Sequence, residues 1–322
     1  MTSTATREYL EASRTIYVAG HRGLAGSALV RALKKMGVSR IIGESSTALD
    51  LRDRDATHNY FAQQRPDVVI LAAARVGGIL ANSTYPVEFL SDNLRIQLNV
   101  MDAALTHGTE RLLFLGSSCI YPKFAAQPIR EDSLLTGPLE PTNDAYAIAK
   151  IAGILQVQAV RRQYGLPWIS AMPTNLYGPN DNFSPTSSHL LPALVRRYEE
   201  ARQTGATEVT NWGTGTPRRE LLHVDDMAAA CMHLLCNYNG DEHINVGTGV
   251  DHTISEIADV VADAVGFDGT VRWDHSRPDG TPRKVLDTTA ISELGWAPQI
   301  SLAEGIAEVV DWYRLHSDNV RV

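Results

Sequence analysis

Cysteine is scarce in this chain of 322 residues: only Cys119, Cys231 and Cys236 occur. An odd number of thiols without metal-type spacing supplies neither a disulfide framework nor a structural metal site. It suits a reducing compartment, and the expected location is the cytoplasm. No run of about 18 apolar residues exists, so no segment reads as a membrane-spanning helix. No basic block exists either. With 29 Lys and Arg against 37 Asp and Glu, the net charge is −8, which argues against nucleic acid or an anionic membrane as partner. Residues 1–14 are polar and mixed in charge, without the apolar stretch of a signal peptide, and read as a frayed tail. Internal repeats and low-complexity segments are absent.

What remains is an ordinary globular composition, 44% hydrophobic, arranged in strand–helix units. The apolar run "TIYVAG" leads into "LAGSALVRALKKMG", which is apolar at helical period and stops at Gly37. "DVVILAA" precedes a helix expected at about 86–106. "RLLFLGS" precedes a long loop and a helix at about 142–163, and "WISAMPT" follows. Strands that are apolar throughout and alternate with helices predict a parallel sheet covered on both faces. Right-handed crossovers make this a doubly wound α/β fold of Rossmann type.

After about Asn175 the pattern loosens. "YGPNDNFSPTSSH" is loop chemistry, followed by a helix near 190–202 and a strand near 208–212. "HVDDMAAACMHLLCNY" reads as a helix with Asp225 or Asp226 as N-cap, and "HINVGTG" as a strand returning to the sheet. Two amphipathic helices close the chain. The expected organisation is a dinucleotide domain at 15–175 with a returning segment at about 220–250. A smaller, discontinuous substrate domain is expected from 176–219 and 251–322.

"AGHRGLAG" places Gly20, Gly23 and Gly26 between the first strand and first helix, the context in which a pyrophosphate meets a helix N-terminus. Arg22, inside the loop, would favour the 2′-phosphate of NADP(H). Glu44, near the end of the second strand, would favour the free ribose hydroxyl of NAD(H), and Asp50-Leu51 would follow against the adenine. "DAYAIAK" sets Tyr146 and Lys150 four apart on one helix face. A tyrosine of ordinary pKa about 10 is a poor neutral-pH catalyst, and a lysine cation one turn away is expected to stabilise its phenolate. Cys231 and Cys236 read as small core hydrophobes.

With Ser117 at the end of the fourth strand, the chain resembles the extended short-chain dehydrogenase/reductase family, which supplies such a serine–tyrosine–lysine triplet. The blocks "AGHRGLAGSA", "AAARVGGILANSTYP", "LLFLGSSCIYPK", "EPTNDAYAIAKIAGI", "MPTNLYGPNDNFSP", "SSHLLPAL", "HVDDMA", "HINVGTG" and "PDGTPRK" extend the resemblance from Ile16 to the last helix. They are similar to the branch that inverts C3 and C5 of GDP-4-keto-6-deoxy-D-mannose and reduces C4 with NAD(P)H. The resemblance implies that Ser117 hydrogen-bonds the C4 oxygen, that Tyr146 protonates it, and that Lys150 also holds the nicotinamide ribose. It makes Cys119 and His189 the acid–base pair of epimerisation; thiol and imidazole have ordinary pKa values of about 8.5 and 6.5, close to working pH.

The same resemblance puts Gly20, Arg22, Gly23, Leu24, Gly26, Asp50, Leu51, Lys150, Pro173, Asn175, Leu176 and His189 on the cofactor. It puts Ser117, Ser118, Arg197, Trp212, Arg219 and Asp279 on the GDP-sugar, and implies a homodimer built on the two long helices and no metal. Several of these positions have a second reading: Ser118 as a loop-backbone partner, His189 as a plain surface or capping histidine, Trp212 as a core residue, and Arg22, Arg197, Arg219 and Asp279 as surface residues. Relatives often carry an arginine where this chain has Ser46, so NADP(H) is the expected cofactor with only a modest preference and NAD(H) stays open. A 4,6-dehydratase of this group would follow the strand-four serine or threonine with an acidic pair; Ser118-Cys119 stands there instead. A simple 4-epimerase has no need of Cys119 and His189, and a catalytically silent NAD(P)-binding protein has no need of the intact triplet.

Overall fold

The computed structural model describes residues 9–185, 187–277 and 279–316, without the side chain of Ile79. β1 (Thr15–Ala19) runs into α1 (Leu24–Lys35), and β2 (Arg40–Ile42) into α2 (Arg54–Gln64). β3 (Val68–Leu71) is followed by a short α3 (Ile79–Thr84) and a long α4 (Pro86–Thr106). β4 (Arg111–Leu115), α5 (Asp144–Tyr164) and β5 (Ile169–Pro173) come next. The chain then leaves the sheet through β6 (Asn175–Tyr177), α6 (Leu190–Thr204), β7 (Glu208–Trp212) and β8 (Arg218–His223). It returns along α7 (Val224–Asn237) to β9 (Ile244–Val246). The remaining elements are β10 (Asp251–Thr253), α8 (Ile254–Val265), β11 (Thr270–Asp274), β12 (Arg283–Lys284), α9 (Thr289–Glu293) and α10 (Leu302–His316).

The large sheet has the order β2-β1-β3-β4-β5-β9, and every pair in it is parallel. This is the doubly wound sheet that the strand–helix alternation predicts. Strand side chains alternate between its faces. Ile16, Val18, Val68 and Ile70 join α1 and α7 on one side; Tyr17, Ala19, Val69 and Leu71 join α4 and α5 on the other. A third apolar cluster lies off the sheet and gathers α6, α8 and α10 around Tyr198, Val261 and Val310. Cys231 and Cys236 lie within the first cluster as small hydrophobes, and burial pushes the Cys231 thiol up to about 12.

Proline at the first helical position starts α4 at Pro86, where the pattern predicts it. α5 begins at Asp144, two residues late, because a turn closed by Asn143 N to Glu140 O (3.0 Å) occupies the preceding residues. The cap of α7 differs from expectation. His223 is the N-cap, its Nδ1 accepting from Asp225 N at 3.3 Å. Asp226 is buried and accepts from Gln299 N and Ile300 N, so tertiary donors claim it. The pattern also leaves β6, β8, β10 and β12 unseen. These form a small sheet in which β8 pairs with the other three. Two- to six-residue strands of mixed polarity carry too little periodicity to register.

Gly153 lets α5 lie against β4. A Cβ there would stand 2.4 Å from Phe114 Cζ and 2.7 Å from its Cε1, and Phe114 is buried in the sheet. Glycine to alanine inside a helix ordinarily gains about 1 kcal/mol. Overpacking a closed core costs about 1–3 kcal/mol. Gly153→Ala is therefore expected to lower the thermal midpoint by a few degrees; circular dichroism melting checks this, and a raised midpoint would show that Phe114 yields freely.

Candidate active site

All strands of the large sheet are parallel, so their carboxyl ends share one edge and the loops that follow them meet there. The order β2-β1-β3 means that the chain steps from β1 to β2 on one side and then crosses back to β3 on the other, which opens a crevice beyond β1. The glycine loop fills this position. Gly23 N donates to Gly20 O at 3.0 Å, and a Cβ on residue 26 would fall 2.0 Å from that same oxygen. Only glycine lets α1 start so close. Its N-cap, Gly23, offers no side-chain cap, and the first turn holds no acidic residue. The positive helix end is left to an anion, which fits a dinucleotide diphosphate.

Leu24 is the first residue of α1, and Arg22 projects from the loop, exposed. Glu44 is exposed just past β2, close enough for its charge to raise the pKa of Tyr60 and to oppose the lowering of that of His21. Asp50 is already engaged: the Arg52 fork holds its two oxygens at 2.8–3.2 Å and keeps the carboxyl below its usual range. Leu51 gives its carbonyl to Asn99 at 2.9 Å. Pro173 ends β5, Asn175 donates to Glu220 O at 3.0 Å, and Leu176 packs on the first cluster.

Ser117 follows β4 and Gly116 in an extended conformation, and its Oγ accepts from Cys119 N at 3.2 Å. The Ser117 side chain adjoins the Tyr146 phenol. One turn on, Lys150 Nζ donates to Leu115 O at 2.8 Å and lies 4.8 Å from the centre of the Phe114 ring and 5.8 Å from that of Tyr146. Burial pulls the Lys150 ammonium from 10.5 to about 7. The expected lowering of the phenol does not appear. Burial first, then the Cys119 sulfur, raises the Tyr146 pKa, and the Ser117 side chain offsets only part of this. Desolvation is the largest effect on both groups, Lys150 being buried and Tyr146 half-buried. Tyr146 therefore stands at neutral pH as a protonated donor.

Cys119 is half-exposed on a single 3-10 turn, Ser118–Ile120, and Ser118 is buried beside it. Two distant groups converge on its sulfur: Asn143 Nδ2 and Lys284 Nζ, each at 3.6 Å. A cavity of about 50 Å³ opens there, lined by Cys119, Lys123, Glu140, Asn143, Thr281 and Lys284 among others. Glu140 accepts from Lys123 at 3.0 Å and from Thr281 at 3.3 Å. Sequence reasoning did not single out Asn143, Glu140 or Lys284. All three lie in quoted blocks, yet none carries a local spacing that announces a role. His189 is the N-cap residue of α6, with a side chain that makes no cap bond and is open to solvent.

At the far end, Arg197 donates to Asn211 Oδ1 (2.9 Å) and Thr210 O (3.3 Å), and Arg219 to Arg218 O (2.8 Å) and Thr281 O (2.6 Å). Asp279 accepts from Thr214 N and Oγ1 at 2.9 and 2.7 Å, which lowers its pKa. Trp212 is 66% exposed, with Arg277 lying 5.1 Å from its ring centre. It is not a core residue: β7 alternates, and Trp212 points with Glu208 and Thr210 away from the buried side. Among the described residues Arg197 and Trp212 make no contact with the Ser117–Tyr146–Cys119 group, whereas Arg219 is connected to it through Thr281 and Glu140.

Residues 16–247 match the model of the NAD dependent epimerase/dehydratase family. The chain is 56% identical over 301 residues to GDP-L-fucose synthase 1 of Arabidopsis thaliana, covering 94% of this chain and 93% of that protein. It is 50% identical over 315 residues to the GDP-L-fucose synthase of Escherichia coli, covering 95% and 98%. A solved GDP-L-fucose synthetase from Naegleria fowleri, bound to NADP, superposes with a TM-score of 0.89 at 30% identity, covering 97% of this chain and 96% of that one. Glycine loop, switch-point crevice and Ser–Tyr–Lys geometry agree with these matches, and the chain belongs to the NAD dependent epimerase/dehydratase family, in its GDP-L-fucose synthase group.

Proposed function

We propose that this protein inverts C3 and C5 of GDP-4-keto-6-deoxy-D-mannose and reduces C4, giving GDP-L-fucose. The observation that carries the reading is the convergence of three groups: Ser117, whose Oγ accepts from Cys119 N at 3.2 Å, Tyr146 beside it, and the Cys119 sulfur on the same turn as Ser117. The turn after β4 thereby offers an oxyanion donor and a proton carrier, and α5 a proton donor, to neighbouring carbons. NADPH, when bound, supplies the hydride for C4. Gly20, Gly23 and Gly26 with the α1 terminus hold its diphosphate, and Lys150 its nicotinamide ribose. Leu24, Asp50, Leu51, Pro173, Asn175 and Leu176 line the rest of its path. Arg22 faces the 2′-phosphate, and Glu44 opposes it, which makes the preference over NADH modest.

Ser117 and Tyr146 donate to the C4 oxygen while negative charge builds there during epimerisation, and Tyr146 gives up its proton at reduction. Cys119 and His189 carry protons on and off C3 and C5. Ser118 supports the sugar, Arg197 and Arg219 meet the diphosphate with their planar forks, and Trp212 and Asp279 complete the nucleotide end. The sugar lies between a nucleotide lobe, 15–175 with 220–250, and a lobe built on the third cluster. A second copy covers α4 and α5, which pack together and expose Val87 and Leu98, and Ile148 and Leu155, at helical spacing. Among the described residues no helix is long and apolar enough to cross a membrane.

Incubation with GDP-4-keto-6-deoxy-D-mannose and each reduced cofactor, followed by nicotinamide absorbance and NMR of the sugar, tests the activity. Tyr146→Phe is expected to lose reduction yet keep solvent-deuterium uptake at C3 and C5. Cys119→Ala and His189→Asn are expected to lose about 10²–10⁴ of that uptake, measured without reduced cofactor. Wild-type exchange in both would remove them from the epimerisation.

Lys150 adds a pH prediction. Its folded pKa of about 7 lies below its ordinary 10.5, so the charged form is penalised in the folded state. The penalty is fully present below about pH 7 and fades as pH rises toward 10.5. Lys150→Met is expected to be more stable than the parent at pH 6, by about 1–3 kcal/mol. Urea midpoints should show the gap narrowing as pH rises. A gap independent of pH would contradict the lowered value. For assembly, Leu98→Glu with Ile148→Glu is expected to give folded monomers by light scattering, where the parent is a dimer.

A further inference from the structure

We propose that Lys284 is a further catalytic residue of the epimerisation, the ammonium that serves as counter-ion to the Cys119 sulfur when that sulfur is without its proton. The inference rests on the reading of Cys119 as a proton carrier. β12 is only two residues long and pairs in parallel with β8, Arg283 opposite Arg218 and Lys284 opposite Arg219. Successive side chains of a strand leave on opposite faces. Arg283 goes to Asp251, which Arg218 shares at 3.0 Å. Lys284 goes the other way, to the sulfur.

The neighbouring cations are otherwise engaged. Lys123 has Glu140 at 3.0 Å, and Arg219 has the carbonyls of Arg218 and Thr281. Among the described residues Lys284 pairs with no carboxylate, and the Cys119 sulfur is its acceptor at 3.6 Å. The other groups facing that sulfur are the Asn143 amide, at the N-cap of α5, and the Tyr146 phenol one turn along it. Lys284 is also fixed in place. Val285 N donates to Gln127 Oε1 (2.9 Å), Leu286 N to Glu220 Oε2 (2.9 Å), and Ile129 N to Val285 O (2.8 Å). The backbone after Lys284 is thereby held to the loop that descends from Cys119, and the ammonium stays in the 50 Å³ cavity with the sulfur.

The step needs such a cation. When a C–H bond next to the C4 ketone breaks, its electron pair moves to the C4 oxygen and its proton to sulfur. In the reverse sense the thiol proton forms the C–H bond. Either way the sulfur is an anion on one side of the transfer, beside an enolate that Ser117 and Tyr146 stabilise through the oxygen. An opposite charge within about 4–6 Å favours a charged group strongly where water is partly excluded. Lys284 supplies it without touching the proton.

The test uses the whole chain near neutral pH. Iodoacetamide capture of Cys119, read by peptide mass spectrometry with buried Cys231 and Cys236 as references, is expected to slow about tenfold or more in Lys284→Met. Lys284→Arg should restore most of the rate. Deuterium uptake at C3 and C5, without reduced cofactor, should fall in kcat with KM unchanged. An unchanged capture rate in Lys284→Met overturns the proposal. So does a loss confined to KM, which would assign Lys284 to the diphosphate beside Arg219. Should Lys284→Met melt early, the contrast between Lys284→Gln and Lys284→Arg decides in its place. If the parent itself shows no exchange, the functional reading fails, while the capture rates still decide whether Lys284 and Cys119 are paired.

Discussion

The hydrogen bond from Lys150 Nζ to Leu115 O, 2.8 Å long, ties the middle of α5 to the last residue of β4. Ser117 lies two residues beyond that carbonyl and Tyr146 one turn before that lysine, so the bond sets their separation. Gly153 brings the same helix down onto Phe114, whose ring lies beneath the ammonium. Buried lysine is costly, and here the cost is visible as a pKa drawn down to about 7. The same burial keeps Tyr146 protonated, which is the state a proton donor needs.

A second junction brings the distant segments to this centre. Glu220 on β8 is buried, and burial pushes its carboxyl up. It accepts from Gly249 N at 2.7 Å and Leu286 N at 2.9 Å. One side chain thus joins the small sheet, the loop after β9 and the segment after β12. Arg219 is its neighbour in sequence, and Lys284 is the register partner of Arg219. The groups read as gripping the nucleotide and the groups around Cys119 are consequently parts of one framework. The carboxyl of Glu140, between Lys123 and Thr281, braces the same framework from the opposite side.

Much of this was legible in local sequence because local geometry generates it. Glycine at 23 and 26 meets backbone within a few residues of itself, and a Cβ at 26 has nowhere to go, whereas Gly20 makes room for the distant backbone of Ala72 and Ala73. Tyr146 and Lys150 share a face because a helix repeats every 3.6 residues. Apolar runs between helices forecast a parallel sheet, and proline marked the start of α4. Where a distant partner decides, the local signal misleads. Asp226 has the chemistry of an N-cap, but Gln299 and Ile300 take its carboxylate, and His223 caps instead. Trp212 is apolar, yet strand alternation turns it outward toward Arg277.

The sequence by itself determined the fold class and the glycine loop, and it suggested the triplet and the pair Cys119 and His189, since each rests on spacing within one segment or on blocks that resemble a family. Tertiary structure alone decided the surroundings of the sulfur. Lys284 reaches Cys119 from 165 residues away and Asn143 from 24, through a two-residue strand and a helix cap that no periodicity announces. It also decided the sign of the Tyr146 shift. Spacing gives the distance between a phenol and an ammonium, but desolvation depends on everything packed around them, and that exists only once the chain has folded.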